Sequence, residues 1–127
     1  MNDNTRRKRE EMIKRTKQFA LEVIHLCSSL PKSTVSQILG RQVVRSGTSV
    51  GAHYREACRA KSRVDFISKI EGALQELDET TYWLDLLREV FTERREKLQH
   101  LMTEANELMS IFVAVMKVVK APQPAAK

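Results

Sequence analysis

The feature that most limits what this chain can fold into is an apolar repeat across residues 66–91. Its apolar side chains recur at alternating intervals of three and four residues, so that the pattern repeats every seven residues. This spacing places one side of a helix against a partner helix, as in coiled coils and helix bundles. The positions of the repeat are Phe66, Ile70, Ala73, Leu77, Thr80 or Thr81, Leu84, Leu87 and Phe91.

Three other segments carry apolar residues at the same spacing and predict the helices that cover this stripe. Only four glycines and three prolines interrupt the 127 residues, which favours long helices. Long helices joined by short links lie antiparallel to their neighbours. We therefore predict an all-α fold, an up-down-up-down antiparallel four-helix bundle. The predicted organisation is a flexible basic N-terminus over 1–8, a bundle over 9–120 with helices at about 9–29, 33–60, 63–91 and 93–120, and a disordered tail over 121–127.

Charge is distributed unevenly along the chain, whose formal net charge is +6. Residues 1–17 carry +4 and residues 41–63 carry +5, whereas residues 64–93 carry −6. A basic balance permits binding to nucleic acid or to an acidic partner, but it does not specify a fold.

Basic side chains follow the second predicted helix mostly at four-residue spacing, which places them on one face. One interpretation is a phosphate-binding surface for RNA or DNA. The other is a solvated face that pairs with the acidic third helix. The predicted phosphate contacts are Arg41, Arg55, Arg59, Lys61 and Arg63, and the predicted structural polar network is Arg45, Glu56, Glu76 and Glu79, with Arg45 paired to Glu79 or Glu76.

A run of small residues, 46–52, interrupts the second predicted helix. Gly47 and Gly51 would lie on one helix face and let a neighbouring helix approach closely, with Tyr82 or Trp83 filling the space opposite. The alternative is that the run forms the turn of a helix-turn-helix, the motif of a DNA-binding regulator.

The sequence offers little for catalysis or metal binding. Glu22 and His25 form one Glu-x-x-His unit, but a di-iron bundle needs two such units and two further glutamates. Neither a catalytic triad nor a phosphate-binding loop is recognisable. We predict no enzymatic activity, no cofactor, no metal site and no membrane segment. Cys27 and Cys58 are expected to be reduced thiols of a cytoplasmic protein.

Several separated blocks of residues resemble one known family. They are Arg45 to Ala57, Ser62 with Asp65 to Lys69, Glu76 to Glu79 with Tyr82-Trp83-Leu84, Leu30-Pro31, and Glu104 to Phe112. Together they are similar to the four-helix-bundle proteins encoded in 23S rRNA intervening sequences. The likeness extends from about Lys17 to Val119. One difference is His53, where the family usually has Asn.

The resemblance implies an up-and-down bundle that assembles into a ring, typically a homopentamer. It also implies a relationship to the accessory variability determinant of diversity-generating retroelements, which binds a reverse transcriptase and nucleic acid. Our leading hypothesis is thus a non-enzymatic, basic, oligomeric bundle that binds RNA or another nucleic acid. The alternative is a protein-interaction or assembly module, such as an accessory of a reverse transcriptase, that has no nucleic-acid role of its own.

Overall fold

The computed structural model describes residues 1–122, which fold into four long helices. These are α1 (Asp3–Ser28), α2 (Thr34–Cys58), α3 (Arg63–Val90) and α4 (Arg95–Lys120). A 3₁₀ turn, Thr92–Arg94, connects α3 to α4. The predicted all-α four-helix bundle is confirmed.

Side-chain caps explain where three of the helices begin. The Asn2 side chain accepts a hydrogen bond from the Thr5 amide at 2.8 Å and starts α1. Ser33 accepts from the Ser36 amide, and the Ser36 hydroxyl accepts from the Ser33 amide in return. The Ser62 hydroxyl accepts from the Asp65 amide and starts α3. Each cap satisfies an amide that has no partner within the first helical turn.

The first helix begins earlier than predicted. It starts at Asp3 rather than near residue 9, so most of the segment predicted as flexible is helical. The apolar periodicity begins only at Met12, which is why it misses the first turns; Asn2 is the signal that marks them. Of the predicted tail, Ala121 and Pro122 are described, and residues 123–127 lie outside the described part of the chain.

Contacts between neighbouring helices show that each runs antiparallel to the next. Val23 and Thr16 of α1 pack on Gly47 and Gly51 of α2, and Arg88 and Glu71 of α3 contact Gln99 and Lys120 of α4. Facing residues of α2 and α3 have numbers that add to 124–126, as in the hydrogen-bonded pair Ser46 and Thr80. The α2–α3 interface is the most extensive, and α1 and α4 have the fewest contacts of any adjacent pair.

The core lies between the four apolar stripes. Residues from every helix are fully buried, and the ring of Tyr54 stacks on that of Phe112 with centroids 5.4 Å apart. One polar pair lies inside it, because the Thr80 hydroxyl donates to Ser46 Oγ at 2.8 Å and is 2.6 Å from the Glu76 carbonyl. Among residues 1–122, no helix is long and apolar enough to cross a membrane.

Candidate nucleic-acid interface

The basic residues of α2 lie on its outer surface, away from the core. Arg41, Arg45, Arg55 and Arg59 are all exposed, and they follow two i, i+4 steps along the helix. We call these four residues the α2 basic face. A helical turn of 3.6 residues keeps residues four apart on the same side. The helix is continuous from Thr34 to Cys58. The helix-turn-helix hypothesis is therefore wrong, because there is no turn in the small-residue run.

Within the α2 basic face, Arg45 is engaged by acidic α3. Its Nη2 lies 2.6 Å from Glu79 Oε1, and its Nη1 lies 3.6 Å from Glu76 Oε2. Glu76 is the more enclosed carboxylate, with 17% of its side chain exposed against 44% for Glu79. Half-exposed ion pairs of this kind contribute about 0.2–1 kcal/mol each. These contacts connect α2 to α3 and leave Arg45 with little to offer another molecule.

The rest of the predicted polar network is a separate contact. Glu56 Oε2 is 3.2 Å from Lys69 Nζ. This contact lies near the end of α2 and the start of α3, about three helical turns from Arg45. Arg63, predicted as a phosphate contact, donates through Nε to the Val119 carbonyl at 2.7 Å. That carbonyl lies in the last turn of α4, where carbonyl groups lack helical partners and favour a cation. Arg63 therefore has a structural contact that the sequence did not predict.

The other predicted phosphate contacts are not engaged in this way. Arg41, Arg55, Arg59 and Lys61 are exposed. None of the four forms an ion pair with another residue of the described chain, 1–122.

The glycines of the small-residue run pack against α1, not against α3. A Cβ on Gly47 would lie 3.2 Å from both Cγ atoms of Val23, and one on Gly51 would lie 3.2 Å from Thr16 Oγ1. The expectation that Tyr82 or Trp83 fills this space is wrong.

The two aromatic side chains of α3 instead pack on one another. Their rings meet edge to face with centroids 5.1 Å apart, and Tyr82 is 57% exposed.

A close contact between α2 and α3 involves a different glycine. A Cβ on Gly72 would lie 2.9 Å from Nδ1 of His53. That nitrogen is buried and has no hydrogen-bond partner within residues 1–122. The imidazole at position 53 therefore fits because position 72 has no side chain. Sequence reasoning noted His53 but not Gly72, since an isolated glycine in a helix gives no indication of its neighbour.

The main polar contact between α1 and α4 was also missed. Arg15 donates to both carboxylate oxygens of Glu104, at 2.8 and 2.7 Å, and to Glu107 at 2.6 Å. The Arg15 guanidinium holds the pKa of Glu104 below its usual value, and the same hydrogen bonds raise the pKa of Arg15. A bidentate pair of this geometry is the strongest form of side-chain ion pair. Nothing in the local sequence indicates it, because the partners are 89 residues apart.

Glu22 and His25 line a groove between α1 and α4 that Glu96 and His100 also border. No set of three or more His, Cys, Asp or Glu within residues 1–122 has a geometry that could hold a metal ion. Burial raises the pKa of the Cys27 thiol to about 11, so this cysteine is a poor nucleophile at neutral pH.

Comparison with known proteins identifies the family. The family model described as 23S rRNA-intervening sequence protein matches residues 8–114. The chain belongs to the 23S rRNA intervening sequence protein family. This confirms the resemblance that the sequence blocks indicated.

A solved structure supports the same assignment. It is a protein of unknown function from the S23 ribosomal protein family of Bacteroides thetaiotaomicron, 34% identical, with a TM-score of 0.77. The match covers 83% of this intervening sequence protein and 97% of the Bacteroides chain. No curated protein matches this chain.

Proposed function

We propose that this intervening sequence protein binds RNA through the phosphate backbone, using the exposed cations at the end of α2 and in the turn after it. The observation that carries the proposal is the contrast along α2 and the turn that follows it. Arg45 is occupied by α3, whereas Arg55, Arg59 and Lys61 are exposed and form no ion pair with the rest of residues 1–122. Unpaired lysine and arginine side chains on one surface are the usual partners of phosphate groups.

The register of α2 against α3 explains why these cations have no partner. Arg45 faces the acidic stretch 76–79, since facing residues have numbers that add to about 125. The same register places Arg55 near Ile70 and Arg59 near Phe66, where α3 has few carboxylates. The nearby Glu71 contacts Lys120 at 3.1 Å. Acidic α3 therefore neutralises only Arg45 within the α2 basic face, and the charge of Arg55 and Arg59 is free for a ligand.

The name of the family favours RNA over DNA as the ligand. We propose that binding, without catalysis and without a cofactor, is the activity, and that the protein acts in the cytoplasm as a homo-oligomer, a pentamer by analogy with the family. Association with a reverse transcriptase, as an accessory protein, belongs to the same proposal.

A second candidate function is a protein-interaction or assembly module. The surface between the start of α2 and the end of α3 favours it, because Val35, Ile38 and Val90 are 48%, 55% and 54% exposed. The α2–α3 register puts Val35 at the level of Val90 along the helix pair. The Trp83 indole N–H, on the same side of α3, is buried with no hydrogen-bond partner in the described chain. Exposed apolar side chains grouped in this way mark contact sites for other proteins.

The test is to reverse the charge of Arg55, Arg59 and Lys61 to glutamate. We expect the triple variant to lose binding to a labelled RNA at about 0.1 M salt, where electrostatic contacts still contribute. Its helical content, measured by circular dichroism, should be unchanged because all three side chains are exposed.

Unchanged RNA affinity in the folded triple variant would contradict the proposal. The mass of the native particle, measured with and without nuclease treatment, distinguishes the two candidates. An oligomer that neither carries nor binds RNA at any salt concentration would favour the assembly module.

A further inference from the structure

We infer that the RNA surface is centred on one end of the bundle, where the first turns of α1 meet the last turn of α2, rather than along the length of α2. The inference rests on the proposed function and specifies its site. It adds Arg6, Arg7 and Lys8, which were not among the predicted contacts, and it assigns Arg41 a minor part.

Contacts at this end hold all four helices together. The Arg9 guanidinium of α1 lies over the ring of Phe66 in α3, 5.8 Å from its centroid. Arg63 at the start of α3 donates to the Val119 carbonyl near the end of α4. A cavity of about 280 Å³ lies between these side chains, and Cys58 and Ser62 also line it. The basic N-terminal turns of α1 are therefore adjacent to the basic end of α2.

The charge of the molecule is concentrated at the same end. If each helix is divided at its midpoint, this half comprises residues 1–15, 47–76 and 108–122. It holds thirteen Lys and Arg against seven Asp and Glu, a net charge of +6. The opposite half, residues 16–46 and 77–107, holds eight against nine, a net charge of −1. Helix dipoles do not change this difference, because each end has two helix N-termini and two C-termini, whose effects oppose each other.

Distance separates Arg41 from this group. Arg41 precedes Arg55 by 14 residues, which is about 21 Å along a helix. The screening length at physiological ionic strength is only about 8 Å. Arg41 and Arg55 therefore act on a ligand almost independently. By contrast, Arg9 and Cys58 line one cavity, so the start of α1 and the end of α2 meet there and present their cations at the same end of the bundle.

The surface is suited to the backbone of a duplex rather than to unpaired bases. Proteins that bind single strands stack bases on exposed aromatic rings. Tyr82 is the one exposed aromatic side chain within residues 1–122, and it lies in the other half of the bundle. In the basic half, Tyr54 and Phe112 are buried in the core, and Phe66 is partly buried beneath Arg9. The bundle end is about 20 Å across, two helix diameters, and can meet several phosphates of a duplex.

The experiment compares three double charge reversals, each of which changes the net charge by the same amount. They are Arg6→Glu with Arg7→Glu on α1, Arg55→Glu with Arg59→Glu on α2, and Arg95→Glu with Lys97→Glu at the opposite end. The probe is a fluorescein-labelled RNA duplex of about 16 base pairs, a length that a compact duplex-binding domain can cover. Affinity is measured by anisotropy over a series of KCl concentrations, with thermal unfolding as the check on folding.

We expect both variants at the basic end to bind about tenfold or more weakly. The plot of log affinity against log salt should become shallower, its negative slope losing about 2 in magnitude, one for each phosphate that the protein no longer neutralises. The Arg95/Lys97 variant should keep the wild-type slope. Arg41→Glu should weaken binding less than Arg55→Glu. If the variant at Arg6 and Arg7 proves to fold poorly, replacement of both by glutamine tests the same contacts with a smaller electrostatic change.

Two results would overturn the inference. If Arg6 and Arg7 can be reversed with no more effect than Arg95 and Lys97, the surface does not include α1, although loss of binding in the Arg55/Arg59 variant would still support the proposed function. If wild-type protein does not bind the duplex, or binds with no salt dependence, the proposed function fails and the inference fails with it.

Discussion

The contact between Gly47 and Val23 gives a stability prediction whose sign depends on the partner. Replacing glycine by alanine inside a helix usually raises the free energy of unfolding by about 1 kcal/mol, because alanine favours the helical conformation. At Gly47, however, the new Cβ would lie 3.2 Å from both methyl groups of Val23, which is fully buried. Valine has one strongly preferred rotamer in a helix and cannot rotate away. Overpacking of this kind costs about 1–3 kcal/mol, so we expect Gly47→Ala to destabilise the protein by up to about 2 kcal/mol.

The same substitution should stabilise the protein once the methyl groups of Val23 are removed. Val23→Ala alone should cost about 2–3 kcal/mol through reduced apolar burial and the cavity it leaves. In that background the Cβ of Gly47→Ala enters vacant space, and the helical preference of alanine then gives a gain of about 1 kcal/mol or more. Gly40 is the matched control, because the nearest atom to its Cβ position is Cys27 Cβ at 3.9 Å, an ordinary contact. Gly40→Ala should stabilise both backgrounds by about 1 kcal/mol.

The assay is urea unfolding, followed by far-UV circular dichroism and by the fluorescence of Trp83. All four combinations of Gly47 and Val23 variants are measured at one protein concentration, since the stability of an oligomer depends on concentration. The expected coupling free energy between the two sites is about 1–3 kcal/mol. The reasoning is refuted if Gly47→Ala stabilises the wild-type protein as much as Gly40→Ala does, for then Val23 does not limit the approach of α1 to α2.

Two further predictions concern the polar contacts between helices. Arg15 holds the pKa of Glu104 below its unfolded value of about 4.3, so the stabilisation is fully present above that pH and is lost as the pH falls through the folded pKa. Glu104→Gln should therefore lower the free energy of unfolding at pH 7 and differ less from wild type in acid; Glu107→Gln, at a 59% exposed carboxylate, is the control and should have the smaller effect. In the core, Thr80→Val should cost about 1–3 kcal/mol and Ser46→Ala about 1 kcal/mol. After Ser46→Ala the Thr80 hydroxyl still donates to the Glu76 carbonyl, whereas after Thr80→Val the Ser46 hydroxyl has only the Val43 carbonyl, at 3.5 Å. Equal losses in denaturant unfolding would contradict this order.

The bundle was predictable because its main determinants are local. Apolar residues at three- and four-residue spacing identify the buried side of each helix, and the caps at Ser33 and Ser62 are readable from a few adjacent residues. The predicted ends of the last three helices consequently lie within two residues of the observed ones. The contact between Arg15 and Glu104 depends on how distant segments meet, and no local pattern encodes that.

The partner of the small-residue run was predicted wrongly for a geometric reason. A helix in a four-helix bundle has two neighbours, one on each side of its buried stripe. Periodicity identifies the stripe, but it does not say on which side the next helix in the chain will pack. Gly47 and Gly51 lie on the side that faces Val23 and Thr16 of α1, whereas Ser46 and His53 face Thr80 and Gly72 of α3. The same seven-residue pattern is compatible with either arrangement, so only the folded bundle decides between them.

The early start of α1 changes what the basic N-terminus can do. A flexible arm would lose conformational freedom when it bound phosphate, and immobilising each long side chain and its backbone reduces the net affinity. The Asn2 cap instead fixes Arg6, Arg7 and Lys8 on a helix before any ligand binds. Within residues 1–122 their one ion pair is between Arg6 and Asp3, at 3.6 Å and largely exposed, which is weak enough to exchange for phosphate. A preorganised array loses less entropy on binding than a tethered one with the same charge. Inserting a glycine pair after Lys8, which interrupts α1, should therefore weaken RNA binding even though no charge is removed.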